Sequence, residues 1–127
     1  MKLSNLSNSV LTILAFTSST AYATCYSTGI NGSPRLALAQ LNSFCSEKLT
    51  GNYQAGTGRT PCMTLPSNLV YNFKVYNIHQ VTHSLSTEDC VKYLTTEVNC
   101  PKGGESTHAD IGLRFVVMPN NGVCIGG

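Results

Sequence analysis

The chain has 127 residues, of which eight are Lys or Arg, six are Asp or Glu and six are Cys. The basic residues are scattered singly, without the concentrated patch that a polyanion-binding surface needs, so nucleic-acid binding is disfavoured. The sequence predicts one domain, without repeats or a low-complexity linker, whose hydrophobic core is limited by its small size.

Residues 1–23 have the layout of a secretory signal peptide. Lys2 supplies a positive start, residues 10–16 form a short apolar run, and Ala21-Tyr22-Ala23 matches the small-x-small cleavage pattern. The run is shorter than the ~20 residues that span a bilayer, so stable membrane insertion is not expected. We therefore predict cleavage after Ala23 and an extracellular domain at residues 24–127, whose formal charge is one unit below the +2 of the whole chain.

All six cysteines lie in that predicted domain. In an oxidising compartment an even number of cysteines predicts three disulfides, although six cysteines permit fifteen pairings. The sequence has no CxxC pair or zinc-knuckle spacing, so no metal site is predicted from the cysteines. One sequon, Asn31-Gly32-Ser33, is a candidate for N-glycosylation. The six are Cys25, Cys45, Cys62, Cys90, Cys100 and Cys124.

Three elements are predicted in the first half of the domain. A short strand at residues 24–30 precedes a helix that begins at Ser33-Pro34, with Ser33 as the N-cap. Apolar residues then recur at helical spacing as far as Leu49, and Gly51 is a natural stop. The following segment is rich in Gly, Pro and Thr and allows only a short edge strand at residues 62–65.

Three more elements are predicted in the second half. Apolar and polar residues alternate along residues 69–76, which is typical of a half-buried strand. Ser86 and Asp89 have the spacing of a capping box, and a helix follows that ends near Pro101. Alternation resumes along residues 111–117 as a last strand, before a predicted turn at residues 119–122.

The predicted order is therefore β-α-(β)-β-α-β. Two amphipathic helices packed on one face of a small, mainly antiparallel sheet satisfy this order. The fold class is α+β, a compact two-layer α/β sandwich with three disulfides. Within the second helix, Cys90 shares the apolar side with Val91 and Leu94, so we interpret it as a structural staple. Glu97 and Tyr93 are assigned to a solvated face of that helix.

Several stretches resemble a known family. They are CYSTG, LTGNYQAG, VYNFKVYN, LSTEDCVKYLTTEVNCPKGGES and LRFVVMPNNGVC, and they cover nearly all of residues 25–124. The sequence looks like the glycan-binding proteins of the Y-three type, small secreted lectin-like proteins of fungi that are distantly akin to killer toxins. The resemblance implies a secreted module that binds glycans or glycoproteins, without catalysis or a cofactor. The chain departs from the family pattern at Met118, where an Asp commonly precedes the terminal Pro-Asn and could contact a sugar hydroxyl.

Candidate glycan-binding residues come from two places. The outward face of the long strand and its neighbour present polar and aromatic groups that suit sugar hydroxyls and C–H patches. The segment GGESTHAD, including Gly104, is predicted as a polar loop that adds further groups. The chain has no Trp, so Tyr76 and Tyr53 are the candidates for stacking against a sugar ring. The predicted set is Asn72, Lys74, Tyr76, Arg114, Glu105, Ser106, Thr107 and Asp110.

The sequence also leaves three alternatives to a glycan-binding module. A killer-toxin-like effector would act on a protein target of a host or competitor cell. A small secreted ribonuclease would use Glu97, His108 and Arg114 for acid–base work. His79 and His83 could chelate a metal only if their segment were helical, and all three histidines of the chain are predicted in loops. The favoured prediction is a non-enzymatic module without a bound metal.

Overall fold

A computed structural model describes residues 23–125; the predicted signal peptide lies outside the described residues, apart from Ala23. The strands and helices follow the predicted order, with additional short strands between them. They are β1 (Thr24–Cys25), α1 (Pro34–Phe44), a π-helical turn (Cys45–Leu49), β2 (Gly51–Tyr53), β3 (Gly58–Arg59), β4 (Cys62–Leu65), β5 (Leu69–Asn77), β6 (His83–Leu85), α2 (Thr87–Val98), β7 (Gly104–His108) and β8 (Leu113–Asn121).

The main sheet is antiparallel at every described pairing and is centred on β5 and β8. These two strands pair along their whole length, from Leu69 opposite Asn121 to Asn77 opposite Leu113. The strand order is β1-β7-β8-β5-β3, and β4 pairs with β5 beside β3. The strands β2 and β6 form a separate two-stranded sheet. The predicted α+β class, with two helices and a mainly antiparallel sheet, is confirmed.

The core lies between the two helices and one face of the main sheet. Alternate residues of β5 and β8 point into it, and the predicted alternation is confirmed for both strands. The rings of Phe44 on α1 and Phe73 on β5 meet at a centroid distance of 4.7 Å. The buried side chains of these elements include Ala37, Leu41, Phe44, Tyr71, Phe73, Val75, Cys90, Leu94, Val98, Leu113, Phe115 and Val117.

The two helix starts differ in how they are capped. The Ser86 hydroxyl accepts a hydrogen bond from the backbone N–H of Asp89 at 3.1 Å, which confirms the predicted cap of α2. At the start of α1, the Ser33 side chain makes no capping bond, although its carbonyl accepts from the N–H of Ala37 at 3.0 Å. The α1 start therefore depends on Pro34 at the first helical turn rather than on a side-chain cap.

The six cysteines form three disulfides, which confirms their predicted structural role. Cys25–Cys100 joins β1 to the residue that follows the C-cap of α2, and Cys45–Cys90 joins the π-helical turn to α2. Cys62–Cys124 joins β4 to the segment that follows β8. Because Cys45 and Cys90 are both fully buried, the second of these links lies inside the core.

Several sequence-based predictions of local structure were wrong. The first strand covers only Thr24–Cys25, and β8 continues to Asn121 where a turn was predicted. Pro119 fits in that strand, opposite Tyr71. The segment predicted as a polar loop forms β7, which pairs with both β1 and β8. Tertiary pairing decides these segments, because their own residues carry weak strand preference.

The positions of Glu97 and of two histidines were also predicted incorrectly. Glu97 has no exposed surface, because the sheet and β7 cover this side of α2. His83 lies on β6 and His108 on β7, whereas His79 lies in the loop after β5.

Within residues 23–125, no helix combines the length and the apolar composition needed to cross a membrane.

Candidate functional site

The face of the main sheet that points away from the helices carries most of the predicted site residues. Directly paired residues of antiparallel strands share a face, and the register sets Tyr76 beside Arg114 and Arg114 beside Thr107. In the next row, Val116 lies between Lys74 and Glu105. The structure thus brings together Asn72, Lys74, Tyr76, Glu105, Thr107 and Arg114, and we call this surface the open face.

A polar network fixes the centre of the open face. Arg114 Nη2 lies 2.8 Å from Glu105 Oε1 in an ion pair, and Arg114 Nη1 donates a hydrogen bond of 2.8 Å to Thr107 Oγ1. Tyr26 Oη donates to the same Glu105 oxygen at 2.9 Å. Two strands, β7 and β8, and the residue after β1 therefore hold one carboxylate and one guanidinium in fixed orientations.

The network keeps its charged groups charged. Hydrogen bonds from Tyr26 and from Arg114 lower the pKa of Glu105, and the hydrogen bond to Glu105 raises the pKa of Arg114. Burial, reinforced by the nearby Glu105 carboxylate, raises the pKa of Tyr26 to about 12. Near neutral pH the site therefore presents a carboxylate, a guanidinium and a neutral phenol.

These groups suit the recognition of vicinal hydroxyls. A hydroxyl both donates and accepts, so it can donate to a carboxylate while it accepts from a guanidinium. Both observed contacts of Glu105 use Oε1. Within the described part of the chain, no hydrogen bond to Glu105 Oε2 is found, so this oxygen can accept from a ligand.

Tyr76 lies at the edge of this network and is only partly exposed. Lys74 Nζ lies 5.0 Å from the centroid of its ring, in a cation–π contact along the same strand. The ammonium group therefore occupies one face of the ring. A sugar that stacks on that face must displace the Lys74 side chain, which is exposed and can move.

A cavity of about 300 Å³ lies beside the network. Tyr26 belongs to both, since its ring lines the cavity and its hydroxyl contacts Glu105. Lys102 also lines the cavity, and its Nζ donates to Asn31 Oδ1 at 3.0 Å. The cavity is lined by Tyr26, Thr28, Gly29, Ile30, Lys102, Met118, Pro119 and Asn120.

The prediction was wrong for Ser106 and for Tyr53. Ser106 is 5% exposed and points to the helix side of β7, where its hydroxyl contacts His108 Nε2 at 3.0 Å. Tyr53 is 1% exposed, and its hydroxyl donates to the Leu49 carbonyl at 2.6 Å. Neither side chain can reach a ligand on the open face. Asp110 is exposed in the turn between β7 and β8, away from the central network.

The predicted set of site residues omits four residues that line the cavity, although Met118 was noted as a departure from the family pattern. Met118 and Asn120 continue the outward alternation of β8 beyond Arg114, and a strand predicted through Pro119 would have included them. Lys102 lies in the PKGGES segment that follows α2. No local pattern marks Tyr26, because its contact with Glu105 arises from residues 79 positions apart.

The three residues of the ribonuclease alternative do not share a site. Glu97 and His108 are buried on the helix side of the sheet, and Arg114 points to the open face. An acid–base pair must reach the reacting atoms from one pocket. This arrangement removes the geometric basis for that alternative.

The described residues define a class of protein, a small disulfide-linked α+β module with an open polar sheet face. Residues 38–124 match a family model described as glycan binding domain Y3, so the chain belongs to this family. The resemblance noted in the sequence is thereby confirmed for glycan binding. A comparison with curated proteins gave no match. The matched segment includes Glu105, Thr107 and Arg114 but not Tyr26.

Proposed function

We propose that the chain is a secreted protein that binds glycans on the open face of its sheet without acting on them chemically. Membership of a glycan-binding family supports the ligand class. The proposed location of the binding site rests on one observation, the polar network beside the cavity. Its members are Tyr26, Glu105, Thr107 and Arg114. Its planar carboxylate and guanidinium match hydroxyl recognition, and the cavity has room for a terminal sugar.

The ligand would span two regions of this surface. A sugar over the centre of the open face contacts Glu105 Oε2 and the exposed parts of Arg114 and Thr107. A neighbouring sugar enters the cavity between Tyr26 and Met118. Met118 replaces an acceptor that the family resemblance implies at this position, so hydroxyl recognition in the cavity depends on Asn120 and Tyr26.

A glycan-array screen of the purified protein tests the proposal, with Arg114→Ala and Glu105→Gln as site variants. We expect saturable binding to a set of related glycans and a loss of at least about tenfold in affinity for each variant, because each leaves a polar partner unmatched. Lys48→Ala is the matched control, since Lys48 is exposed on the π-helical turn in the helix layer. Binding that both site variants retain would move the site away from the open face.

The same screen decides between the proposal and an effector that acts on a protein target. Absence of binding to every glycan, together with growth inhibition of target cells that no sugar competes, would favour the effector. Binding to cell-surface glycoproteins that is lost after enzymatic deglycosylation would support the proposal.

We further propose that residues 1–23 direct secretion and are removed after Ala23. Three disulfides support this, because such bonds persist in oxidising compartments. N-terminal sequencing of protein secreted by a eukaryotic host should begin at Thr24.

Glycosylation at Asn31, which is exposed, would appear in the same sample as a mass increase that an N-glycanase removes.

A further inference from the structure

We propose that His79 and His83 form a binding site for a late first-row divalent metal ion, Cu(II) before Ni(II) or Zn(II). The site lies at the end of β5, where the loop that follows this strand meets β6. It is independent of glycan binding.

The two imidazoles already have the separation of paired ligands. His79 Nδ1 and His83 Nε2 lie 2.9 Å apart, and the ring planes are tilted by 59°. Two nitrogens bound at right angles to one ion, with bonds of about 2.0 Å, are themselves about 2.8 Å apart. In the hydrogen bond the facing nitrogens point at each other, so each ring must turn by about 45° to direct its lone pair at one shared ion.

When both rings are neutral, metal binding at this pair needs no net release of protons. In the hydrogen-bonded pair one of the facing nitrogens carries the shared proton and the other accepts it. When the ion replaces that proton, the donating ring changes tautomer and carries its proton on its other nitrogen. Both facing nitrogens then bind the ion as neutral imidazoles, the form that metals require.

The buried side chain of Asn77 holds the loop in this geometry. Its Oδ1 accepts from the backbone N–H of His79 at 2.7 Å, and its Nδ2 donates to the carbonyls of Val81 and Tyr53 at 2.7 and 2.8 Å. His83 is fixed by the pairing of β6 with β2, opposite Tyr53. Asn77 is 2% exposed, so this support is shielded from water.

Gly112 provides the space that the two rings occupy. Its φ is +69°, and a Cβ at this position would collide with the Nε2 and Cδ2 atoms of His83 and lie 2.7 Å from His79 Nδ1. Any other residue would therefore push the rings apart. Both histidines remain partly exposed, so an ion has access from solvent.

The described part of the chain supplies only two ligands at this site, and both are imidazole nitrogens. Among residues 23–125, no group of three or more His, Cys, Asp or Glu side chains is placed to hold an ion. The site thus offers two imidazoles and leaves the other positions to water. Divalent affinities for nitrogen ligands rise towards Cu(II), so copper is the ion that two imidazoles hold best.

The test is a titration of the purified protein with Cu(II), followed by electron paramagnetic resonance and by thermal unfolding. We expect one ion per chain, a nitrogen hyperfine pattern from two imidazoles and a rise in Tm. His79→Gln and His83→Gln should each weaken binding by at least about tenfold. Gln80→Ala, an exposed change in the same loop, should bind as the unaltered protein does.

Two outcomes would overturn the proposal. One is tight binding that persists in the His79→Gln/His83→Gln double variant, which would place the ion elsewhere. The other is the absence of the two-imidazole signal in the unaltered protein at a tenfold excess of Cu(II). Near-UV circular dichroism of each variant separates loss of the metal site from loss of the fold. The glycan array is measured without metal, so that the two tests remain independent.

Discussion

Glu97 is the only fully buried carboxyl among residues 23–125. Neither of its oxygens has a hydrogen-bond partner within this part of the chain. Burial raises the pKa of Glu97 from 4.5 to about 7, and the nearby Ser106 hydroxyl, which bonds to His108, opposes only part of this rise. A carboxyl in this position is stable in its neutral form and costly in its charged form.

The buried carboxyl makes stability fall as pH rises. Between pH 4.5 and about 7 the folded state binds more protons than the unfolded state, so the free energy of unfolding decreases across this range. We expect Glu97→Gln to lie within about 1 kcal/mol of the unaltered protein at pH 5 and to exceed it at pH 8 by up to roughly 3 kcal/mol. Urea unfolding at both pH values measures the difference.

His108 contributes a pH dependence of opposite sign. Burial lowers its pKa from 6.5, so the stability that its neutral form provides is lost as pH falls through 6.5 and below. Comparing the two proteins at the same pH cancels this contribution. An advantage of Glu97→Gln that is equal at pH 5 and pH 8 would contradict a raised pKa at Glu97.

Tyr26→Phe tests how the open-face network sets the charge of Glu105. The hydrogen bond from Tyr26 is the largest cause of the lowered pKa of that carboxyl, so its removal should raise the pKa towards 4.5. A carboxyl ¹³C titration by NMR measures this value. Tyr76→Phe, on the same face, serves as the control. An unchanged value in Tyr26→Phe would assign the whole effect to Arg114.

Among the elements, α2 has its start defined by one side chain. Ser86 Oγ accepts from the N–H of Asp89, which otherwise lacks a partner within the helix. Ser86→Ala should lower the free energy of unfolding by about 1 kcal/mol. The control is Ser84→Ala on β6, also exposed, which we expect to change stability by less than about 0.5 kcal/mol. Equal effects of the two changes would argue against the cap.

The strand β7 shows why a sequence pattern fails at some elements. Its inward residues are Gly104, Ser106 and His108, which carry no apolar signal. They become interior residues because β1 and β8 pair with both edges of β7 and α2 covers it. The buried Ser106 and His108 satisfy each other by a hydrogen bond. The outward residues Glu105 and Thr107 thereby join Arg114 on the open face.

At the scale of the whole molecule, the disulfides join elements that are distant in sequence. Each closes a loop of 45 to 75 residues, for which chain entropy predicts a stabilisation of about 4 kcal/mol. Cys45→Ala/Cys90→Ala should be the most damaging double change, because it also leaves a cavity in the core. Cys62→Ala/Cys124→Ala removes a bond nearer the surface and should cost less, as measured by urea unfolding.

Mass spectrometry checks the pairing itself. Intact oxidised protein should be lighter than its reduced form by six hydrogens, one for each cysteine. Peptide mapping should recover Cys25 with Cys100, Cys45 with Cys90, and Cys62 with Cys124. Any free thiol, or a different pairing, would contradict the described arrangement.

The sequence by itself determined the family, the fold class and the faces of the main elements. Alternation along β5 and β8 and the helical spacing of apolar residues are local patterns that follow directly from backbone geometry. They placed Asn72, Lys74, Tyr76 and Arg114 on one face before any pairing was known.

Only the tertiary structure decided the disulfide pairing, the burial of Glu97 and the contact of Tyr26 with Glu105. It also decided that Ser106 points inward and that His79 meets His83. Each of these depends on residues distant in sequence, or on how strands pair and cover one another. No local pattern encodes these relations, because they result from the combined packing of the whole chain.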